Sequence, residues 1–430
     1  MPNFRRLDPD DVNPHHVVNR EELVERVSAQ MVSFLTDRDT ERGQSWLLHG
    51  DKGVGKSIVS RAILRRVEEE LGRQGHPGLF VVVDCRRVRT WRDCLRAIVG
   101  ELRKEMEEKD RFFPPAMTDA TVESLRAIVG VVNEILVWDT GELRELQETV
   151  TRFAAAAKIA GSATLALLKA EFTLDLSSAR GTTQTVTGVL RLDERRVSEI
   201  LRAVCSDLAK HDCRPLFYLD NVDELDHRYT TEAERDQVRR EVEGIVTIGS
   251  MPAALLLNMR SYFSTAFNRV ATRNERVDAL SADHLRALVD RRITLEDEPV
   301  RSWFAQETIG AHLPQLVESA GSPFALLKWL RFLGERDRMK EPLSAGDVSD
   351  YVSVHFASAP ETDLQRVVMA AFKEAGGACS RRDLLAACEG DETPLQQLIE
   401  LQAVLPVDFW NPIRFTLDPE LRTAHARWSQ

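Results

Sequence analysis

The sequence predicts an α/β protein built on a parallel sheet with helices on both faces. Three observations predict it. Residues 46–57, WLLHGDKGVGKS, join an apolar strand to a glycine-rich turn and then to a helical pattern. The runs 79–83 (LFVVV), 216–219 (LFYL) and 253–259 (AALLLNM) are apolar nearly throughout, as strands buried on both faces are. Amphipathic helical patterns separate these runs, and strand–helix alternation specifies parallel neighbours.

The elements follow in order. Residues 1–15 are Pro- and Asp-rich and read as an extended arm. Leu23, Val24, Val27, Met31, Phe34 and Leu35 recur at helical spacing, which predicts a helix over 21–35. A strand at 46–49, a turn and a helix from Ser57 to about Leu71 come next, then the strand at 79–83, which ends in Asp84. A helix is expected at 92–108 and a break at Phe112–Pro115. An insertion at about 121–190 begins helically and then offers alternating stretches at 172–176 and 185–190 around Arg180-Gly181, a candidate hairpin. Helices at 193–210 and 231–248 lead into strands ending at Asp220 and Met259. A short strand is expected at Arg276–Leu280, then helices to about Leu333. The last segment predicts helices at 363–374, at 381–388 after Ser380, and at 394–402 after Thr393-Pro394, where Ser/Thr caps and a proline at the first helical position mark starts. Strands at Val404–Val407 and Ile413–Leu417 complete a winged-helix order.

The turn at 50–57 carries chemistry in every residue type. Gly50, Asp51, Lys52, Gly53, Val54 and Gly55 form a loop whose backbone N–H groups can curl around a triphosphate, with a helix N-terminus aimed at the same anion. Lys56 supplies a point charge for the β- and γ-phosphates, and the Ser57 hydroxyl is a Mg²⁺ ligand. The run Phe217–Asp220 ends in a carboxylate and passes into Asn221-Val222-Asp223-Glu224. Asp220 suits the anion behind that Mg²⁺. Glu224 or Asp223 suits the base or orienting group that the attacking water of a hydrolase needs.

Together these segments resemble the ASCE division of P-loop NTPases, and within it the AAA+ and STAND ATPases. LDNVDEL (219–225) is similar to the NACHT-type Walker B, whereas most AAA+ proteins place Glu where Asn221 stands. Residues 17–23, VVNREEL, are similar to the "VGREEEL" segment that covers adenine in Orc1/Cdc6-like and STAND ATPases, which implies base contacts from Val18 and Arg20. Asn258 and Arg260 fall at the sensor 1 position. Residues 321–326, GSPFAL, resemble the "GxPLAL" motif of the STAND lid, whose proline, here Pro323, contacts the base. Arg269, Arg273 and Arg276 lie near where AAA+ rings place an arginine for the neighbouring subunit. The implied domains are an arm and adenine-side helix (1–45), an ATPase core (46–284), a helical lid (285–350) and a winged helix (351–430).

Composition limits the partners. The 430 residues carry a net charge of −11 and a pI near 5.5, which argues against a non-specific nucleic-acid binder. The expected third helix of the winged helix, TPLQQLIELQ, holds Glu400 and no cation, so DNA is the disfavoured partner. Six scattered cysteines without a CxxC pair read as a reduced cytoplasmic protein with no zinc site. Phe153–Leu168 is short, Ala-rich and interrupted by Lys158, well below the about 20 apolar residues of a membrane span. The hexapeptide LRAIVG at 95–100 and 125–130 fits two helices with similar packing faces.

The resemblance implies an ATPase with ATP and Mg²⁺ as cofactors. It would be a bacterial regulatory switch that self-associates with nucleotide state and acts with a separate effector or sensor protein, as in antiphage defence or mobile-element systems. The alternative it implies is an Orc1/Cdc6-like or transposition-type AAA+ protein that assembles on DNA.

Overall fold

The computed structural model describes residues 17–37, 42–76, 78–88, 90–108, eight residues between 122 and 133, 194–224, 232–264, 267, 271–294, 322–335, 370–372, 378–400, 404–406 and 414–417. Five strands, β1 (Gln44–Gly50), β2 (Leu79–Asp84), β3 (Pro215–Asp220), β4 (Ala254–Arg260) and β5 (Arg273–Arg276), form one sheet in the order β2-β3-β4-β1-β5. Every pairing is parallel. All five strands therefore end on the same edge, and Gly50, Asp84, Asp220, Arg260 and Arg276 are brought to it.

The side-chain alternation of the strands builds two apolar layers. Leu47, Val81, Val83, Phe217, Leu219, Leu255 and Leu257 join one core with helices α3 (Trp91–Glu108) and α4 (Glu194–Ala209). The neighbouring residues Trp46, Leu48, Leu216, Tyr218, Ala254 and Leu256 join the other, with α1 (Glu21–Thr36) and α2 (Lys56–Arg73). The period of two along each strand divides one apolar run between two faces, which is why the runs are continuous rather than alternating. Trp46 meets Phe34 edge-on at 6.0 Å between ring centres. Each fully buried side chain of this size contributes about 1.5–3 kcal/mol. Helix α5 (Glu232–Gly249) packs beside α4 and leads into β4.

One strand lies elsewhere than expected. The sequence pattern places a strand at 276–280, but β5 spans Arg273–Arg276 and pairs with Trp46–His49. It is an edge strand of largely exposed residues, so no apolar run marks it. The apolar signal belongs to Val277, which is buried just beyond the strand and donates its N–H to the His49 carbonyl at 2.7 Å.

After the sheet come α6 (Ala282–Thr294) and α7 (Pro323–Glu335). The C-terminal region holds β6 (Ala378–Ser380), α8 (Arg381–Ala387), α9 (Thr393–Glu400), β7 (Val404–Pro406) and β8 (Arg414–Leu417). Its strands form an antiparallel sheet in the order β6-β8-β7. Ser380 caps α8 by accepting from the Asp383 N–H at 3.2 Å, as its position before the helix predicts. The strand β6 was unmarked in the sequence, being three residues of Ala, Cys and Ser. The candidate hairpin at 172–190 and the break at 112–115 lie outside the described residues, as do most of the insertion and the segment 295–321. Among the described residues no helix is long and apolar enough to cross a membrane.

Candidate nucleotide site

The loop after β1 is shaped by its glycines. Gly53 and Gly55 adopt φ of 81° and 97°, a left-handed geometry open to glycine at no steric cost. Gly55 is the N-cap of α2, and no acid stands in the first turn of that helix to oppose an anion. Lys56 is buried, and its Nζ donates to the carbonyls of Gly50 (3.1 Å) and Asp51 (2.9 Å). Burial pushes its amine down to about 8, against the opposing pull of Asp223. The backbone of the loop, a helix N-terminus and a desolvated cation thus converge on one place suited to an anion.

Beside the loop, three residues from three elements meet. Ser57 Oγ donates to Asp220 Oδ1 at 3.1 Å. Asn258 Nδ2 donates to that same Asp220 oxygen and to Ser57 Oγ, the latter at 3.2 Å. The Asn258 Oδ1 is buried without a hydrogen-bond partner. Burial pushes the Asp220 carboxyl up, and the charge of nearby Asp84 adds to this, while Ser57 pulls it back. A buried carboxylate of this kind, with a hydroxyl beside it, suits a hard divalent cation. Among the described residues no group of three or more His, Cys, Asp or Glu makes a cation cage; a Mg²⁺ here would be held by Ser57 and Asp220 and would take phosphate and water as its other ligands. The residues fit Mg²⁺ held by Ser57 and Asp220.

The other candidate acids are placed differently. Asp223, on the short turn 222–224, accepts the Arg260 N–H at 2.9 Å and its Nε at 3.0 Å. Asn258 and Arg260 are thereby divided: Asn258 bonds to Asp220, and Arg260, two residues on along the same strand, bonds to Asp223. Glu224 lies on the same turn, with its side chain outside the described residues.

Asn221 has φ of 55° and directs its Nδ2 to Asp84 Oδ1 at 3.3 Å. Asp84 faces Asp220 in register across β2 and β3. Its carboxylate also receives the Arg86 N–H and guanidinium, the latter at 2.8 Å. Burial would raise the Asp84 carboxyl, but the Arg86 bonds and charge, with the Asn221 amide, bring it below its ordinary value. The sequence marked Asp84 as a strand end without giving it a role. The available signal was its likeness to Asp220, since both close an apolar run.

The segment carrying Pro323 reaches the loop itself. The Phe324 N–H donates to the Gly53 carbonyl at 3.2 Å. A Cβ on Gly53 would stand 2.8 Å from Ser322 Oγ and 3.0 Å from Phe324 Cβ. Ser322 in turn accepts the Ala325 N–H, closing the first turn of α7.

Val18 and Arg20 belong to a segment fastened along 278–291. Arg20 donates to the Asp278 carbonyl, Asn19 meets His284 Nδ1 at 3.1 Å, and Arg291 donates to the Val17 carbonyl at 2.7 Å. Burial lowers the Arg20 guanidinium from its ordinary value. Of the candidate trans arginines, Arg273 and Arg276 sit on the exposed edge strand, Arg276 paired to Asp278 at 2.9 Å, and Arg269 lies outside the described residues.

A family model described as the AAA ATPase domain matches residues 16–236, just over half of the chain. The chain belongs to the AAA ATPase domain family. The match spans the Val17–Leu23 segment, the loop at 50–57, Asp84 and Asp220. No curated protein matches the chain. Among solved structures this ATPase is similar to the ORC1 protein of Aeropyrum pernix in complex with DNA, at 14% identity and a TM-score of 0.46, covering 99% of this chain and 96% of that one. It is also similar to Cdc6p from Pyrobaculum aerophilum, at 11% identity and a TM-score of 0.39, covering 96% and 94%.

Proposed function

We propose that this AAA ATPase binds Mg·ATP at Gly50–Ser57, hydrolyses it slowly, and uses nucleotide state to reposition a helical lid that includes α7. The observation that carries the reading is the bond from the Phe324 N–H to the Gly53 carbonyl. A phosphate bound in the loop recruits the backbone around Gly53, so any adjustment there reaches α7 directly. The Mg²⁺ supplies charge neutralisation on the phosphates when bound. Lys56 holds the triphosphate, Ser57 and Asp220 hold the metal, and Asn258 fixes both of those side chains.

The β6–β8 sheet with α8 and α9 supports a winged helix used for protein contact or locking. Helix α9 has no Lys or Arg, and Arg381 is taken by Glu392 at 2.6 Å. We infer self-association in the ATP state, with a separate effector or sensor protein as partner; antiphage defence or mobile-element control follows only from the family resemblance. Particle mass measured with ADP, with a non-hydrolysable ATP analogue, and with the analogue plus duplex DNA tests this. Assembly on the analogue alone supports the switch. Assembly only with DNA replaces it with a DNA-loaded AAA+ machine.

A further inference from the structure

Hydrolysis needs a carboxylate that can hold the attacking water, and the acids at the strand tips are not equivalent. Asp220 is buried with Ser57 and Asn258. Both oxygens of Asp223 are bound by the buried Arg260. Asp84 stands one strand beyond Asp220, in register with it, and keeps 21% of its side chain exposed. Asn221, at the position where the resemblance leads one to expect Glu, presents an amide to Asp84 instead of a carboxylate to water. The amide's left-handed backbone, tolerable for Asn, holds it in that direction. Arg86, half exposed, donates to both Asp84 oxygens.

We propose that Asp84 is the carboxylate that orients the attacking water, with Asn221 as the residue that positions it; this rests on the ATPase reading above. The carboxylate thus stands at the end of β2 and the amide that meets it just beyond the end of β3. In the step, the water oxygen bonds to the γ-phosphorus as the bond from that phosphorus to the β–γ bridging oxygen breaks. ADP leaves with that electron pair, and the water proton directed at Asp84 passes to the carboxylate and then to solvent. Arg86 must swing from Asp84 before the water is held.

The test uses the full chain and compares wild type, Asp84→Asn, and the double variant Asp84→Asn with Asn221→Asp, which returns a carboxylate to the β3 side. Steady-state kcat and KM are read together with the affinity for a non-hydrolysable ATP analogue. The expected result is a fall in kcat of about 100-fold or more in Asp84→Asn, the usual scale for such a group, with analogue affinity within about threefold of wild type. The double variant regains about tenfold or more of the lost kcat. Wild-type kcat in Asp84→Asn overturns the proposal and leaves the ATPase reading intact. A loss of analogue binding equal to the loss of kcat also overturns it, since Asp84 would then be structural. Wild-type protein that binds the analogue but never turns over ATP overturns the ATPase reading itself.

Discussion

Asp223 and Arg260 hold each other twice: one carboxylate oxygen accepts the Arg260 backbone N–H at 2.9 Å, and the other meets its Nε at 3.0 Å. Both side chains are buried, so the pair is a fixed strut joining the turn after β3 to the end of β4. Removing one partner strands the other's charge. Asp223→Ala is expected to lose about 3–5 kcal/mol of folding stability, measured by urea denaturation, whereas replacing both by apolar residues costs far less. Loss of ATPase activity in Asp223→Ala should therefore track loss of folded protein.

Lys56 and Ser57 separate binding from metal use. Lys56→Ala removes a buried amine that, among the described residues, donates to two loop carbonyls, so the melting temperature should move little. ATP affinity should fall about 100-fold, the scale of two charge-assisted hydrogen bonds. Calorimetric titration reads both.

Ser57→Ala should raise the Mg²⁺ concentration for half-maximal ATPase by about tenfold, because Asp220 then keeps only outer contact with the metal. Chelation of Mg²⁺ should stop turnover in wild type and variant alike.

Gly53→Ala tests the loop's link to α7. Its φ of 81° costs an alanine about 1–2 kcal/mol, and the new Cβ would press on Ser322 and Phe324. The variant should fold its sheet, shown by unchanged far-ultraviolet dichroism, yet become more open to protease within 322–335, with cleavage no longer responding to nucleotide.

The buried thiols give an alkaline limit. Burial pushes Cys205 and Cys213 up to about 12 from an ordinary value of 9.0. Between pH 9 and 12 the unfolded chain loses these protons and the folded chain does not, so stability falls as pH rises. The slope is up to about 1.4 kcal/mol per pH unit for each thiol. Denaturation midpoints at pH 8, 9 and 10 should fall progressively, and less steeply once both are replaced by alanine.

What the sequence revealed followed from local repetition. Continuous apolar runs exposed β1 to β4, and the spacing of Gly50, Gly55, Lys56 and Ser57 exposed the loop. The edge strand β5 lies N-terminal to the apolar signal because its Arg-Asn-Glu-Arg composition carries no burial pattern. Contacts between distant residues were out of reach: Asn221 finds Asp84 across 137 positions, and Phe324 finds Gly53 from another helix altogether. No periodicity encodes such a pairing, since it depends on which strands become neighbours. The division of Asn258 and Arg260 between two acids was hidden for the same reason.

The most direct test of the switch is hydrogen exchange at the 322–327 amides with no nucleotide, with ADP, and with a non-hydrolysable ATP analogue. The account predicts that the Phe324 amide, bonded to the Gly53 carbonyl, changes its exchange rate by about tenfold or more between ADP and the analogue. Equal rates in all three conditions, while residues 53–57 become protected by nucleotide, would contradict it.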